Sequence, residues 1–322
     1  MSSELVVAPC VDIDLPLPDR REGKVRVSYA LGDGRRLFVT TDRLSAFDRI
    51  IAGVPYKGQV LNQLAAWWFD KTSDVVPNHV VAVPDPNVLV ATATTPLPIE
   101  VVVRGYITGV TSTSLWPAYA RGERHLYGYR LPDGLHKNDR LPEPLITPTT
   151  KPPAGSAVHD EPLSMTEVTE RGLVEPDRWM QITDVAGELF RHGQRLAEAA
   201  GLVLVDTKYE FGLAADGRLL LIDELHTPDS SRYWMLDTYA ERLAAGAEPE
   251  SLDKEVVRRA LADAGFTGDG DVPELDADVW SATSARYVDA FQRLTQLTFV
   301  PGTYPVEERI AGVLPAIVEE WS

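Results

Sequence analysis

Two apolar runs, Leu202–Phe211 and Arg218–Leu225, flank a short break at Gly212–Gly217 and constrain this chain more than any other stretch. Runs of this length bounded by Asp and Gly read as strands, and Asp216-Gly217 suits a two-residue hairpin turn because both central positions need positive φ. With that turn Ala215 faces Arg218, and counting outward sets Glu210 directly opposite Asp223. Period-two alternation places Asp206, Lys208 and Glu210 on one face of the first strand. Carboxylates directly across a ladder repel one another. A divalent cation between them removes the conflict, and hard oxygens beside a lysine are what Mg²⁺ and a nucleotide phosphate require. An edge hairpin with a solvated polar face is the competing reading; four charges on one face among apolar residues favour a functional site.

The segment continues into HTPDSSRYW (226–234). Asp229 or Ser230 can cap a helix there, whose free amides would bind an anion, with Arg232 in the first turn to fork onto a carboxylate or phosphate. An ordinary capped helix with a surface arginine fits the same pattern.

The 322 residues suggest two domains. A hydrophobic content of 44% and a charged content of 25% are those of a soluble globular protein. Cys10 is the only cysteine, which excludes an intrachain disulfide and a cysteine-based metal site. No apolar run approaches a membrane span and no signal peptide is read, so a cytoplasmic protein is expected. A net charge of −17 argues against nonspecific binding to nucleic acid or to an anionic membrane. Small anionic ligands would need local clusters of Lys and Arg.

Towards the N-terminus, residues 20–29 read as a strand, with 32–34 as its turn and 35–41 as the return strand. Gly23 followed by the alternating Lys24, Arg26 and Ser28 can lie over a triphosphate, although the Walker A spacing is missing. TDRLSAFD (41–48) reads as a polar loop, and residues 59–71 as a helix with Trp67 and Trp68 in packing roles. The proline-broken stretch 92–98 looks like a domain crossing. In the strand 99–107, Glu100, Val102 and Arg104 share a face; Arg104 needs a partner, either Glu100 or an anionic substrate. Residues 130–163 read as a long irregular polar segment, with Lys137, Arg140 and Lys151 able to reach a ligand. Ser164 to Glu167 reads as a capping box, and 176–200 as an amphipathic helix ended by Gly201. Helical spacing recurs over 251–264, 277–299 and 306–321.

Together these pieces resemble a known family. VDTKYEFG (205–212) with IDELHTPDSSRYW (222–234) is similar to the paired signature of phosphoribosylaminoimidazole-succinocarboxamide synthase, or SAICAR synthetase, of purine biosynthesis. So are GKVRVSY (23–29), TDRLSAFD (41–48), PIEVVVRGYITG (98–109), KNDRLPEPLITPTTK (137–151) and HDEPLS (159–164), which follow the family's order. The resemblance implies an α+β fold: an N-terminal antiparallel β-rich domain (1–97) packed on a larger ATP-grasp-like α+β domain with C-terminal helices (98–322), and ATP between them. It implies condensation of L-aspartate with a carboxylated aminoimidazole ribonucleotide (CAIR), using ATP and Mg²⁺. Carried over, Glu210 and Asp223 match the metal ligands, in agreement with the hairpin count, and act in catalysis with Lys208. Lys24, Arg26, Ser28 and Lys208 match ATP-binding positions. Arg104, Asp206 and Arg232 match positions that hold the ribonucleotide, and Arg43, Ser45 and Lys57 line the same cleft. The family usually has a serine after the TG of RGYITG; Val110 stands there, and Ser112 is the candidate replacement. The expected partners are these three small molecules, with neither nucleic acid nor membrane. Monomer and homo-oligomer remain open.

Overall fold

A computed structural model describes residues 7–47, 49–111, 113–151, 160–266, 268 and 270–321. The N-terminal part builds β1 (Arg21–Glu22), β2 (Arg26–Leu31), β3 (Arg35–Thr40), the hairpin β4 (Arg43–Ala46) and β5 (Arg49–Gly53), α1 (Lys57–Lys71), β6 (Val80–Asp85) and β7 (Val88–Thr92). Strands β1-β2-β3-β7-β6 form one antiparallel sheet in that order. Its inward row of Val27, Tyr29, Leu37, Val39, Val88 and Val90 packs against Ile13, Leu15 and the C-terminal helix. The expected single strand over 20–29 is instead a tight hairpin: the Gly23 amide donates to the Arg26 carbonyl at 2.8 Å, and Lys24 sits exposed in the bend before β2. Half of the expected polar loop 41–48 is the β4 strand, and Asp42 beside it is fully buried.

The chain then crosses through β8 (Thr95–Pro96) into β9 (Ile99–Tyr106), α2 (Leu115–Ala120), the small hairpin β10 (His125–Leu126) and β11 (Tyr129–Arg130), and β12 (Arg140–Thr150). After α3 (Glu167–Glu170) and α4 (Pro176–Ala199) come β13 (Leu202–Leu213), β14 (Leu219–Ile222) and β15 (Ser231–Met235). Helices α5 (Leu236–Ala244), α6 (Glu255–Asp263), α7 (Ala277–Thr295) and α8 (Val306–Trp321) complete the described chain. This is the α+β architecture expected.

The second sheet is centred on β13. Strand β9 lies on one edge of it, with β12 beyond, while β15 and β14 pair in succession along the other edge. Val101, Val103, Leu204, Tyr209 and Phe211 turn one face onto Ile182, Ala186, Leu189 and Phe190 of α4, which makes the main core. A register shift between Leu204 and Asp206 reverses the inward parity of β13, so that even-numbered residues beyond it point away from this core.

Three expectations are corrected here. The β13–β14 connection is a three-residue loop: the Ala214 amide donates to the Arg218 carbonyl, and Gly217 takes left-handed φ of 82°. Glu210 therefore pairs with Ile222, and Asp223 falls one residue beyond the strand. The segment 231–235 is a strand, not a helix, because β13 offers it an edge: Arg232 pairs with Asp206. And the supposed irregular stretch contains β12, which tolerates its prolines because Pro142 and Pro144 fall where the register with β9 breaks between Arg140 and Leu145, and Pro148 offers only its carbonyl, which accepts from the Leu163 amide at 2.9 Å. The capping box is formed as expected: the Ser164 amide donates to Glu167 Oε2 at 2.7 Å and the Glu167 amide to Ser164 Oγ at 3.2 Å.

Candidate active site

The face of the second sheet turned away from α4 carries its charges in two groups. At one end, Arg104 on β9 and Arg232 on β15 each stand opposite Asp206 in the β13 ladders. Arg232 Nη1 donates to Asp206 Oδ2 at 2.8 Å; Arg104 Nη1 reaches the same oxygen at 3.4 Å and its Nε donates to Thr147 Oγ1 at 2.9 Å. Two guanidiniums thus share one carboxylate, leaving this end positive and suited to a phosphate. Of the two partners considered for Arg104, Glu100 is excluded: it belongs to the other group.

At the other end, Lys208 Nζ donates at 2.7 Å to Glu100 Oε1 and at 2.7 Å to Glu210 Oε1, and Lys151 pairs with the second oxygen of Glu210. Burial works against charge on both Lys208 and Glu210. For Lys208, Glu210, Glu100 and Asp223 outweigh it and hold the ammonium well above the ordinary lysine value. For Glu210, Lys208 and Lys151 outweigh it and hold the carboxyl at about 2.

The first sheet meets this group through Arg26, which donates Nη2 to Asp223 Oδ1 at 2.5 Å and Nη1 to the Asp223 carbonyl at 2.8 Å. Asp223 has φ of 72°, a left-handed backbone that aspartate tolerates at a cost of about 1 kcal/mol and that functional residues often retain. Beside it, burial raises the Glu224 carboxyl against the pull of Arg26, with Asp223 and Asp229 adding to the rise. Thr227 donates its hydroxyl to Glu224.

Lys57, at the start of α1, is fully buried and donates to Asp229 Oδ2 at 2.6 Å, while the Tyr287 hydroxyl of α7 donates to Oδ1 at 2.6 Å. Burial would raise Asp229, but Lys254 and Lys57 hold it well below the usual carboxylate range.

The other expected residues lie elsewhere or are otherwise engaged. Arg43 is turned inward onto Glu22 and the Gly23 carbonyl, where it braces the β1–β2 turn. Ser28 accepts from Arg36. Ser45 is half-buried on β4, Lys137 pairs with Glu248, and Ser112 and His159 lie outside the described residues. Sequence reading missed Glu100 and Glu224 as members of the carboxylate group. It also offers Asp229 or Ser230 as a helix cap; the burial of Asp229 between two lysines depends on α1 and α6, far away in the chain.

Glu210 and Asp223, with Glu100 and Glu224 close by, offer hard oxygens. Among the described residues no three carboxylate, histidine or thiol groups converge into a ready metal cage. That donor set fits Mg²⁺, which takes one or two carboxylates and completes its shell with water and phosphate oxygens.

Residues 19–274 match the profile of the SAICAR synthetase family. The chain belongs to that family. The phosphoribosylaminoimidazole-succinocarboxamide synthase of Legionella pneumophila is 47% identical over 304 residues, covering 93% of this chain and 95% of that one. Among solved structures, the SAICAR synthase from Saccharomyces cerevisiae complexed with SAICAR aligns with a TM-score of 0.76 at 31% identity, over 90% of this chain and 99% of that one. A type-2 SAICAR synthetase in complex with ADP aligns with a TM-score of 0.67 over 88% of this chain and 100% of that one; at 22% identity this likeness carries the fold alone. SAICAR synthetases are carbon–nitrogen ligases of purine biosynthesis, and the two charged groups lie on a sheet whose fold is that of the family. Among the described residues no helix is long and apolar enough to cross a membrane.

Proposed function

We propose that this chain is a cytoplasmic ligase that joins the amine of L-aspartate to the carboxylate of CAIR, with ATP converted to ADP and phosphate, through an acyl phosphate. A carboxylate resists amide formation because its leaving group would be oxide. Attack of a CAIR carboxylate oxygen on the γ-phosphorus of ATP breaks the bond to ADP and gives the acyl phosphate. The aspartate amine then attacks the carbonyl carbon; the new C–N bond forms as the C–O bond breaks, the amine loses its proton and phosphate departs with the bonding pair.

Such chemistry asks the protein for positioning and charge neutralisation, without a covalent enzyme intermediate. Arg104 and Arg232, braced by Asp206, hold the ribonucleotide phosphate. Lys208 and Lys151, freed from Glu210 when substrate enters, neutralise the transferring phosphoryl group, and Arg26 and Lys24 face the ATP chain. Glu210 and Asp223 would hold Mg²⁺, which when bound draws charge from the phosphate oxygens. The ATP cleft lies between a domain of residues 1–97, which carries Arg26, and the β13 sheet of residues 98–322.

The observation that carries this reading is the division of one sheet face into a guanidinium end and a lysine–carboxylate end, fitting one anion at each. The test is ADP release from Mg²⁺-ATP, L-aspartate and CAIR with each omitted in turn. A requirement for all three, with succinocarboxamide formed, is expected; ATP hydrolysis indifferent to aspartate and CAIR would sink the proposal.

A further inference from the structure

Helix α8 carries two apolar stripes. One, Val306, Ile310, Leu314 and Ile317, is buried against the first sheet. The other, Ala311, Pro315 and Val318 beside Leu314, lines a groove whose opposite wall is Leu15, Pro16 and Leu17. The groove has a volume of about 870 Å³ and follows α8 from Glu307 to Glu319, about 18 Å of helix. Its far wall is held in place by Tyr29, whose hydroxyl accepts from the Leu15 amide at 3.1 Å and donates to the Ile13 carbonyl at 2.8 Å.

The groove is short of donors. The Leu15 amide is taken by Tyr29, the Leu17 amide by the Leu15 carbonyl at 2.7 Å, and Pro16 has none. Pro315, inside α8, has no amide to give the Ala311 carbonyl one turn back. The rim is acidic. Glu307 and Glu308 stand at one end and Glu319 at the other, and among the described residues none of the three has an ion-pair partner. Asp14, on the opposite wall, lies 3.9 Å from Arg20, which binds Asp12 at 2.7 Å and Glu22 at 3.0 Å instead. Arg309, the one cation of α8, is turned onto Asp85 at 2.8 Å.

An apolar strip three turns long between carboxylates is complementary to an amphipathic helix with cationic ends. A helix satisfies its own backbone and needs only apolar contact, whereas an extended peptide needs backbone donors that this groove lacks. A second copy of this chain is the poorer match. Helix α8 against α8 would set glutamates against glutamates, and each chain already carries a net charge of −17. We propose that the groove docks an amphipathic helix of a partner protein, with aliphatic residues at helical spacing against Ala311, Pro315 and Val318 and with Lys or Arg at both ends, facing Glu307 and Glu308 on one side and Glu319 on the other.

The test uses a fluorescein-labelled synthetic peptide of about 16 residues, with leucines on one helical face over an alanine background and lysines at both ends. One control replaces its lysines by glutamate; a second scrambles the order, keeping the charge and breaking the apolar face. Fluorescence anisotropy should show wild type binding the designed peptide at least about tenfold more tightly than either control. Ala311→Arg, which puts bulk and a cation into the groove, and the pair Glu308→Lys with Glu319→Lys should each weaken that binding about tenfold or more. All three positions are exposed, so the variants are expected to fold as wild type does. Failure of wild type to bind, equal binding of the three peptides, or unaltered affinity in the variants would overturn the proposal. So would a dimer seen by sedimentation of wild type alone and dispersed by Ala311→Arg, which would give the groove to a second copy.

Discussion

Asp206 of β13 stands directly opposite Arg104 of β9, and this one register position joins residues 102 apart in the chain into a single anion site. On its other side Asp206 meets Arg232 in the same way. The carboxylate keeps two buried guanidiniums side by side, which would otherwise repel, and leaves them one net positive charge.

Arg104→Ala should therefore weaken the ribonucleotide far more than ATP. Removing a guanidinium that contacts a phosphate costs about 1.5–3 kcal/mol, roughly ten- to a hundredfold in KM for CAIR, with the ATP constant changed little. Steady-state kinetics varying each substrate in turn decides this; equal loss for both would remove Arg104 from the ribonucleotide site.

Glu210→Gln and Asp223→Asn should each lower kcat by about 10²-fold or more while the chain stays folded. The check is turnover across a Mg²⁺ titration alongside a circular dichroism melt. Wild-type rates at saturating Mg²⁺ would exclude these carboxylates as metal ligands.

Lys57→Met should destabilise the fold by about 3 kcal/mol, because it strips a fully buried carboxylate of its 2.6 Å ammonium partner. Urea unfolding measures the loss. A change below about 0.5 kcal/mol would mean that Tyr287 and Lys254 hold Asp229 by themselves.

Glu210 also makes stability depend on acid. Its carboxyl is held at about 2 in the folded chain, below the ordinary glutamate value of about 4.3. The folded state therefore binds this proton less readily than the unfolded one. Its contribution is complete above the ordinary value and is lost as pH falls towards 2. The stability advantage of wild type over Glu210→Gln should thus be largest near neutral pH and narrow between about pH 5 and pH 2.5. Urea midpoints at a series of pH values test this, and a constant difference would contradict it.

Much of the site was legible because it is local. Alternation along a strand is a property of neighbouring residues, so Asp206, Lys208 and Glu210 could be put on one face before any partner was known. The capping box at Ser164 and Glu167 and the stop at Gly201 are equally short-range, and α4 and α8 run close to their expected bounds. The family motifs pointed to the same residues.

What the sequence could not determine was pairing between distant segments. Glu210 meets Ile222 because a left-handed glycine lengthens the turn by one residue, a choice between backbone conformations of similar energy that packing of the whole sheet decides. Residues 231–235 became a strand because β13 had an open edge, although their composition would also suit a helix start. The prolines of β12 suggest irregularity, and only the register break between Arg140 and Leu145 and the pairing of Pro148 through its carbonyl make them harmless. Lys57 and Asp229, 172 residues apart, attract each other only once α1 and the Thr227–Ser230 turn are packed together. Composition and spacing thus determined which side chains carry the charge; the tertiary structure decided which of them meet, because a buried ion pair depends on distances that only the folded chain sets.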